Sequence, residues 1–358
     1  MKATAQLQEL GQSLWLDNIT REMLDSGRLQ RCIDEFSISG LTSNPSIFDK
    51  AIKSGAYDDE IRRKAAAAGE REMLFFELAI EDLRRAADLF APIHQRTAGV
   101  DGWVSLEVSP LLAYDTARTI RAAADLHARA ARENLFIKIP GTERGLAAIE
   151  EATFAGVPVN VTLLFSREQY LASAYAYMRG IERRLEAGLD PNVPSVASVF
   201  ISRWDAAVIG RVPDRLRGRL GLAVGLKTYQ AYRQLMDSNR WQRLANAGAR
   251  TQRLLWASTS TKDPESPDTM YIDGLRAPHT INTIPESTLR AFADHGQVGE
   301  PIATDGGDAE ATLAQFESAG IDVHALARTL QSDGARNFVK SWEDLLSHID
   351  DQVAAVAA

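Results

Sequence analysis

The segment Asn134-Leu135-Phe136-Ile137-Lys138-Ile139-Pro140-Gly141 carries the residue best suited to covalent chemistry in this chain. Short, apolar and β-branched, bounded by Asn and by Pro-Gly, it has the pattern of a buried strand in a parallel sheet. Side chains alternate along a strand, so Phe136 and Lys138 share one face and Ile137 and Ile139 the other. Desolvation at such a position favours the neutral amine over the ammonium. A neutral amine attacks a carbonyl to form an imine, so the segment suits a Schiff-base lysine. The competing reading is a lysine at a strand end whose ammonium snorkels to water. Taken alone, that reading is the stronger; the rest of the chain reverses the order.

Polar residues recur at comparable places in other strand-like segments. Asp17 is in phase with Trp15, and Asn44 with Thr42. Glu107 falls between Ser105 and Ser109, opposite Val104, Leu106 and Val108. Asn160 and Thr162 alternate with Val159, Val161 and Leu163; Ser198 and Ser202 alternate with Val199 and Ile201, and Arg203 follows. Ser258 and Ser260 lead on to Lys262. Any one of these is equally well read as a satisfied polar group of the core. Recurrence on seven strands is better explained by an acid–base site around a buried lysine. Asp17 and Glu107 can move protons, although carboxylates near a lysine also favour its charged form, against desolvation. Arg203 and Lys262, beside hydroxyls at strand ends, suit a phosphate, with surface solvation as the alternative.

The elements that must position these groups are strands at 13–17, 102–109, 134–141, 158–165, 195–202, 253–260 and 280–284, with a second strand and its turn at 38–46. Helical periodicity between them is clearest at 70–90. Residues 204–249 read as helical with a break near Gly210 and Pro213, and the alanine-rich tail 353–358 as a fraying helix end. About eight strands alternating with helices mean a parallel sheet with right-handed crossovers. The 358 residues suit one (β/α)8 TIM barrel with additional helices, including a C-terminal helical extension, better than an open doubly wound sheet. Residues 1–358 are expected to form a single domain. In such a barrel the catalytic groups sit at the C-terminal ends of the strands.

Composition narrows the function classes. A 45% apolar, 25% charged chain is an ordinary globular protein. The formal net charge of −8 with no long basic run argues against nucleic acid. Cys32 is the only cysteine, which rules out an intrachain disulfide and favours a reducing compartment. No leader-like amino terminus and no long apolar run are visible, so a soluble, cytoplasmic protein without membrane partners is expected. His94, His127, His279, His295, His324 and His348 form no close pair at ligand spacing, and no metal site is signalled. Neither glycine-rich phosphate-loop pattern occurs, so a nucleotide cofactor is not expected.

The segments Leu41-Thr42-Ser43-Asn44-Pro45-Ser46, Leu106-Glu107-Val108-Ser109, Phe136 to Thr142, Asn160 to Ser166, Trp256 to Lys262 and Thr280 to Pro285 together resemble transaldolase, in the order and spacing of its long bacterial type. The resemblance runs from about residue 13 to the end of the barrel. It implies a cofactor-free Schiff-base transfer in the pentose phosphate pathway, acting on phosphorylated ketoses and aldoses. Lys138 would attack the ketose carbonyl, Asp17 would move the proton that allows carbon–carbon cleavage, and Glu107 with Thr162 would activate water. Asn44, Asn160 and Ser198 would hold the hydroxyls of the dihydroxyacetone unit, and Arg203 with Ser258 the phosphate. Many family members carry an arginine two residues after the serine; here Ser260 stands there, and Lys262 is expected to take over as the second cation. A monomer or homodimer is expected. The alternatives are a fructose 6-phosphate aldolase-like enzyme, whose chains are shorter and lack the Glu107 context, and a non-catalytic sugar-phosphate binding protein.

Overall fold

Eight parallel strands alternate with helices and close on themselves: β1 Ser13–Leu16, β2 Ile38–Leu41, β3 Val104–Glu107, β4 Leu135–Pro140, β5 Val159–Leu164, β6 Ser195–Phe200, β7 Gln252–Ala257 and β8 Ile281–Ile284. The computed structural model describes residues 1–68 and 70–357. Sheet order is β2-β1-β8-β7-β6-β5-β4-β3. The two ends meet where Gly40 pairs with Trp103 and the Leu41 N–H donates to the Trp103 carbonyl at 2.9 Å. This is the expected barrel rather than an open sheet. A Cβ on Gly40 would lie 2.7 Å from both the Trp103 carbonyl oxygen and the Trp15 indole, so closure requires glycine at that point.

Strand alternation divides the side chains between two layers. Trp15, Trp103, Phe136, Val196, Leu255 and Ile281 pack together inside the barrel, with the Trp103 and Phe136 rings stacked at 4.1 Å. They form the floor beneath Lys138. Leu106, Ile137, Ile139, Val159 and Val161 face outward into the core shared with the helices. The alternation expected for Phe136 and Lys138 against Ile137 and Ile139 is the one observed.

Helices begin almost where strands end, and polar caps make this possible. Thr20, Asn44, Thr142 and Ser166 accept the N–H of Met23, Ile47, Gly145 and Gln169 after β1, β2, β4 and β5. Each cap contributes about 1 kcal/mol. The positive ends of these helices gather at the C-terminal mouth of the barrel. The 204–249 region breaks as expected, between helices Ser202–Val208 and Leu220–Met236.

The helix Val323–Ala357 returns across that mouth. Trp342 packs against Phe75 and Phe76 at 4.8 and 5.6 Å, and Ser341 shares a 2.7 Å hydrogen bond with Ser46. The tail expected to fray continues this helix to Ala357, and Ala358 lies outside the described residues.

Asp82, fully buried on the helix Arg71–Arg96, accepts hydrogen bonds from Arg21 Nε at 3.0 Å and the Tyr57 hydroxyl at 2.6 Å. Burial pushes its carboxyl upward, while Tyr57 and Arg21 oppose that. Replacing Asp82 with alanine strands a largely buried guanidinium and is expected to cost about 3 kcal/mol in urea unfolding. A loss below 0.5 kcal/mol, the scale of an exposed ion pair, would mean that Glu60 and Glu81 suffice for Arg21.

Candidate active site

Lys138 lies two residues above Phe136 on the inner face of β4 and is only 5% exposed. Its ammonium donates to the Ser43 carbonyl at 2.9 Å and stands 3.0 Å from Glu107 Oε2. It does not snorkel to open water. Glu107, directly across the β3–β4 ladder, is equally buried. Burial pushes its carboxyl above the ordinary range; Lys138 works against this and the nearby Asp17 charge adds to it. Glu107 Oε1 and the buried Thr162 hydroxyl find no hydrogen-bond partner among the described residues. Two unpartnered polar groups beside a buried amine are costly unless a small polar molecule meets them.

Asp17 follows the last residue of β1. It keeps one side open to a cavity and is otherwise enclosed, and burial pushes its carboxyl up against the pull of Lys138, a Thr42 hydrogen bond, Lys262 and Arg203. Thr42 donates to Asp17 Oδ1 at 2.9 Å and lies 2.7 Å from the Thr283 hydroxyl. This hydroxyl chain fixes the carboxylate across three strand ends.

Asn160 pairs with Lys138 in the β4–β5 register and is fully buried. Its Nδ2 donates to the Ser105 hydroxyl at 3.1 Å, and its Oδ1 accepts from Ser198 at 2.7 Å. Asn160 therefore stands behind the cavity wall, whereas Thr162 and Ser198 line it. Alternation along β5 stops at Leu163, which takes a left-handed φ of 59° where the β5–β6 register shifts. Its side chain joins Phe165 and Phe200 instead of Val159 and Val161. A leucine in that conformation is strained, and such strain gathers at functional sites. β2 ends at Leu41, and Asn44 stands beyond it in extended backbone rather than in a turn, where its Oδ1 caps the helix Pro45–Lys53.

The expected strand at 253–260 is too long. Ser258 has a φ of 54°, so β7 ends at Ala257, and Ser258, Ser260 and Lys262 lie on the following loop. Strand alternation therefore cannot explain their common direction, yet all three line the cavity with Arg203. Ser258 lies 2.9 Å from the Ser202 hydroxyl, and Lys262 Nζ donates to Ser260 at 2.9 Å. Lys262 is exposed overall, but burial around its ammonium and repulsion from Arg203 weaken its hold on the proton. Burial does the same to Arg203, opposed by Asp17 and Glu107.

The cavity these groups enclose measures about 180 Å³. Of the eleven residues singled out from sequence, Asp17, Asn44, Lys138, Thr162, Ser198, Arg203, Ser258, Ser260 and Lys262 line it, while Glu107 and Asn160 lie behind Lys138. Thr42, Ser46, Thr283, Phe200 and Phe338 line it as well. Thr42 was visible as the in-phase partner of Asn44. Phe338 gives no local signal, because an aromatic on a helical stripe reads as core. With a lysine, two carboxyls held above their usual range and two cations, the pocket can form an imine, shuttle protons and hold an anion.

The family model described as transaldolase/fructose-6-phosphate aldolase matches residues 14–349. The chain is similar to the transaldolase of Arthrobacter sp., at 44% identity with 98% of both chains covered. It is 45% identical to the transaldolase of Thermobifida fusca over 98% of both chains. It is 38% identical to transaldolase 2 of Nostoc sp., with 97% of each covered.

Proposed function

Because the chain belongs to the transaldolase/fructose-6-phosphate aldolase family, we propose that it moves a dihydroxyacetone unit from sedoheptulose 7-phosphate to glyceraldehyde 3-phosphate. The products are erythrose 4-phosphate and fructose 6-phosphate. The observation that carries this reading is the buried Lys138–Glu107 pair beside a cavity that Asp17 also faces.

Glu107, held ready for a proton by burial, accepts one from Lys138, and the free amine attacks the ketose carbonyl. Loss of water gives an iminium, with Glu107 and Thr162 handling that water and later the one that hydrolyses the imine. Asp17 takes the proton of the hydroxyl on the carbon being released. The carbon–carbon bond then breaks, its electron pair moves into the iminium, and an enamine remains on Lys138. The acceptor aldehyde enters, the enamine carbon attacks it, and Asp17 returns the proton to the new hydroxyl. No step calls for a metal or organic cofactor, since the iminium is the electron sink. Asn44 and Ser198 hold hydroxyls of the three-carbon unit, and Asn160, expected to do the same, acts from behind the wall by orienting Ser198. Arg203, Lys262, Ser258 and Ser260 bind the phosphate.

The lining residues run from Asp17, just after β1, to Phe338 on the C-terminal helix. We read residues 1–358 as one unit acting as a monomer or homodimer. No helix among the described residues is long and apolar enough to cross a membrane, and we place the protein in the cytoplasm with its sugar phosphates.

The test compares sedoheptulose 7-phosphate plus glyceraldehyde 3-phosphate with fructose 6-phosphate alone. Steady transfer with the pair, and cleavage limited to about one equivalent of enzyme without an acceptor, is expected for trapping of the enamine. Sustained release of dihydroxyacetone from fructose 6-phosphate would make the protein an aldolase. No turnover of either would leave a binding protein.

A further inference from the structure

We propose that the C-terminal helix belongs to the phosphate-binding apparatus: Gly334 and Phe338 set the position of the Arg203 guanidinium, and with it the preference for phosphorylated sugars. The proposal rests on the reading of Arg203 as a phosphate ligand.

Arg203 lies at the mouth of the cavity with no carboxylate of the described residues at ion-pair distance. Two aromatic rings hold it instead, Phe200 at 5.0 Å and Phe338 at 5.9 Å from its guanidinium carbon. Ring faces position a guanidinium without using its N–H groups, which stay free for a bidentate anion. Phe200 comes from the end of β6 and Phe338 from the helix Val323–Ala357, so a strand and a distant helix frame one cation.

Gly334 is an anomaly in that helix, because glycine in a helix interior is less favourable than alanine. Its surroundings supply the reason. A Cβ there would lie 3.1 Å from Arg203 Nη1 and 3.0 Å from Leu163 Cδ2. The helix cannot easily back away, because Gln331 Nε2 donates to the carbonyls of Gly141 at 3.0 Å and of Leu163 at 2.9 Å. Gln331, Gly334 and Phe338 share one helical face. That face therefore anchors the loop after the lysine strand, leaves room for the guanidinium and covers it with a ring. Gly334 and Phe338 are positioning residues acting through Arg203.

Competition between two acceptors for the same enamine reads this directly. With sedoheptulose 7-phosphate as donor and equimolar glyceraldehyde 3-phosphate and glyceraldehyde as acceptors, the ratio of fructose 6-phosphate to fructose reports phosphate discrimination. It does not depend on how much of the enzyme is folded. Gly334→Ala and Phe338→Leu are each expected to lower the ratio about tenfold, as misplacement of a binding group by a fraction of an ångström can. Arg203→Gln is expected to lower it further. If Arg203→Gln lowers the ratio and both helix variants keep the parental value, the positioning role is wrong. If Arg203→Gln leaves the ratio unchanged, the phosphate reading of Arg203 falls, and the inference with it. Should Gly334→Ala not fold, Phe338→Leu carries the same test.

Discussion

Replacing Lys138 with methionine is expected to lower sugar transfer by about 10⁴-fold or more, the scale of losing a covalent nucleophile. Lys262 also lines the cavity, but its side chain is exposed and donates to Ser260, and we propose it as a phosphate ligand rather than the imine amine. The same variant should show a stability effect of defined sign. Glu107 already has a raised carboxyl, and Lys138 is the largest influence holding it down. Without the lysine it rises further. A carboxyl whose folded value lies above its unfolded value supports the fold when protonated, and that support is lost as pH climbs. Lys138→Met should therefore lose more stability, relative to the parent, at pH 8 than at pH 5, and Glu107→Gln added to it should remove most of the difference. Methionine keeps the volume, so packing loss would be independent of pH. Thermal unfolding at the two pH values checks this. Residual activity within tenfold of the parent would transfer the imine to another amine.

Asp17→Asn should slow transfer by about 10² to 10⁴-fold, the usual worth of general acid–base catalysis, while leaving imine formation in place. Asp17→Asn keeps the imine while Lys138→Met abolishes it, which separates the two roles. An amide can fill the space and still accept the Thr42 hydrogen bond at 2.9 Å, but it cannot take the hydroxyl proton. The pH profile carries a further sign. Asp17 must be ionised to accept that proton, and burial raises its carboxyl. The acid limb of kcat/KM is therefore expected above the ordinary carboxylate range, with activity falling as pH drops through it. Glu107 is raised as well, so the limb belongs to the interacting pair. Unimpaired transfer by Asp17→Asn, or loss of imine formation, would contradict the assignment.

Much of the barrel could be read in advance because parallel strands buried on both faces leave short apolar runs punctuated by caps and turns. The face of Lys138 followed from Phe136 and Ile137 alone, and Asp17 and Glu107 followed from period two. What failed did so where the backbone leaves that period. Ser258 and Leu163 take left-handed conformations, which nothing in their side chains announces. Period two alone therefore carries β7 three residues past its observed end at Ala257 and puts Leu163 on the wrong layer. Ser258, Ser260 and Lys262 still reach the cavity, by a loop rather than by alternation. Phe338 and Gly334 were out of reach for another reason: their helix meets the site only through chain return, and a helical stripe looks alike whether it covers a core or a catalytic mouth.

The most direct measurement is borohydride reduction of the protein incubated with fructose 6-phosphate, followed by mass spectrometry of the intact chain and its peptides. The expected result is one dihydroxyacetone-derived adduct on the peptide containing Lys138, drained when erythrose 4-phosphate is added before the reductant. Folded protein with no adduct, or with the adduct on another lysine, would contradict the imine assigned to Lys138.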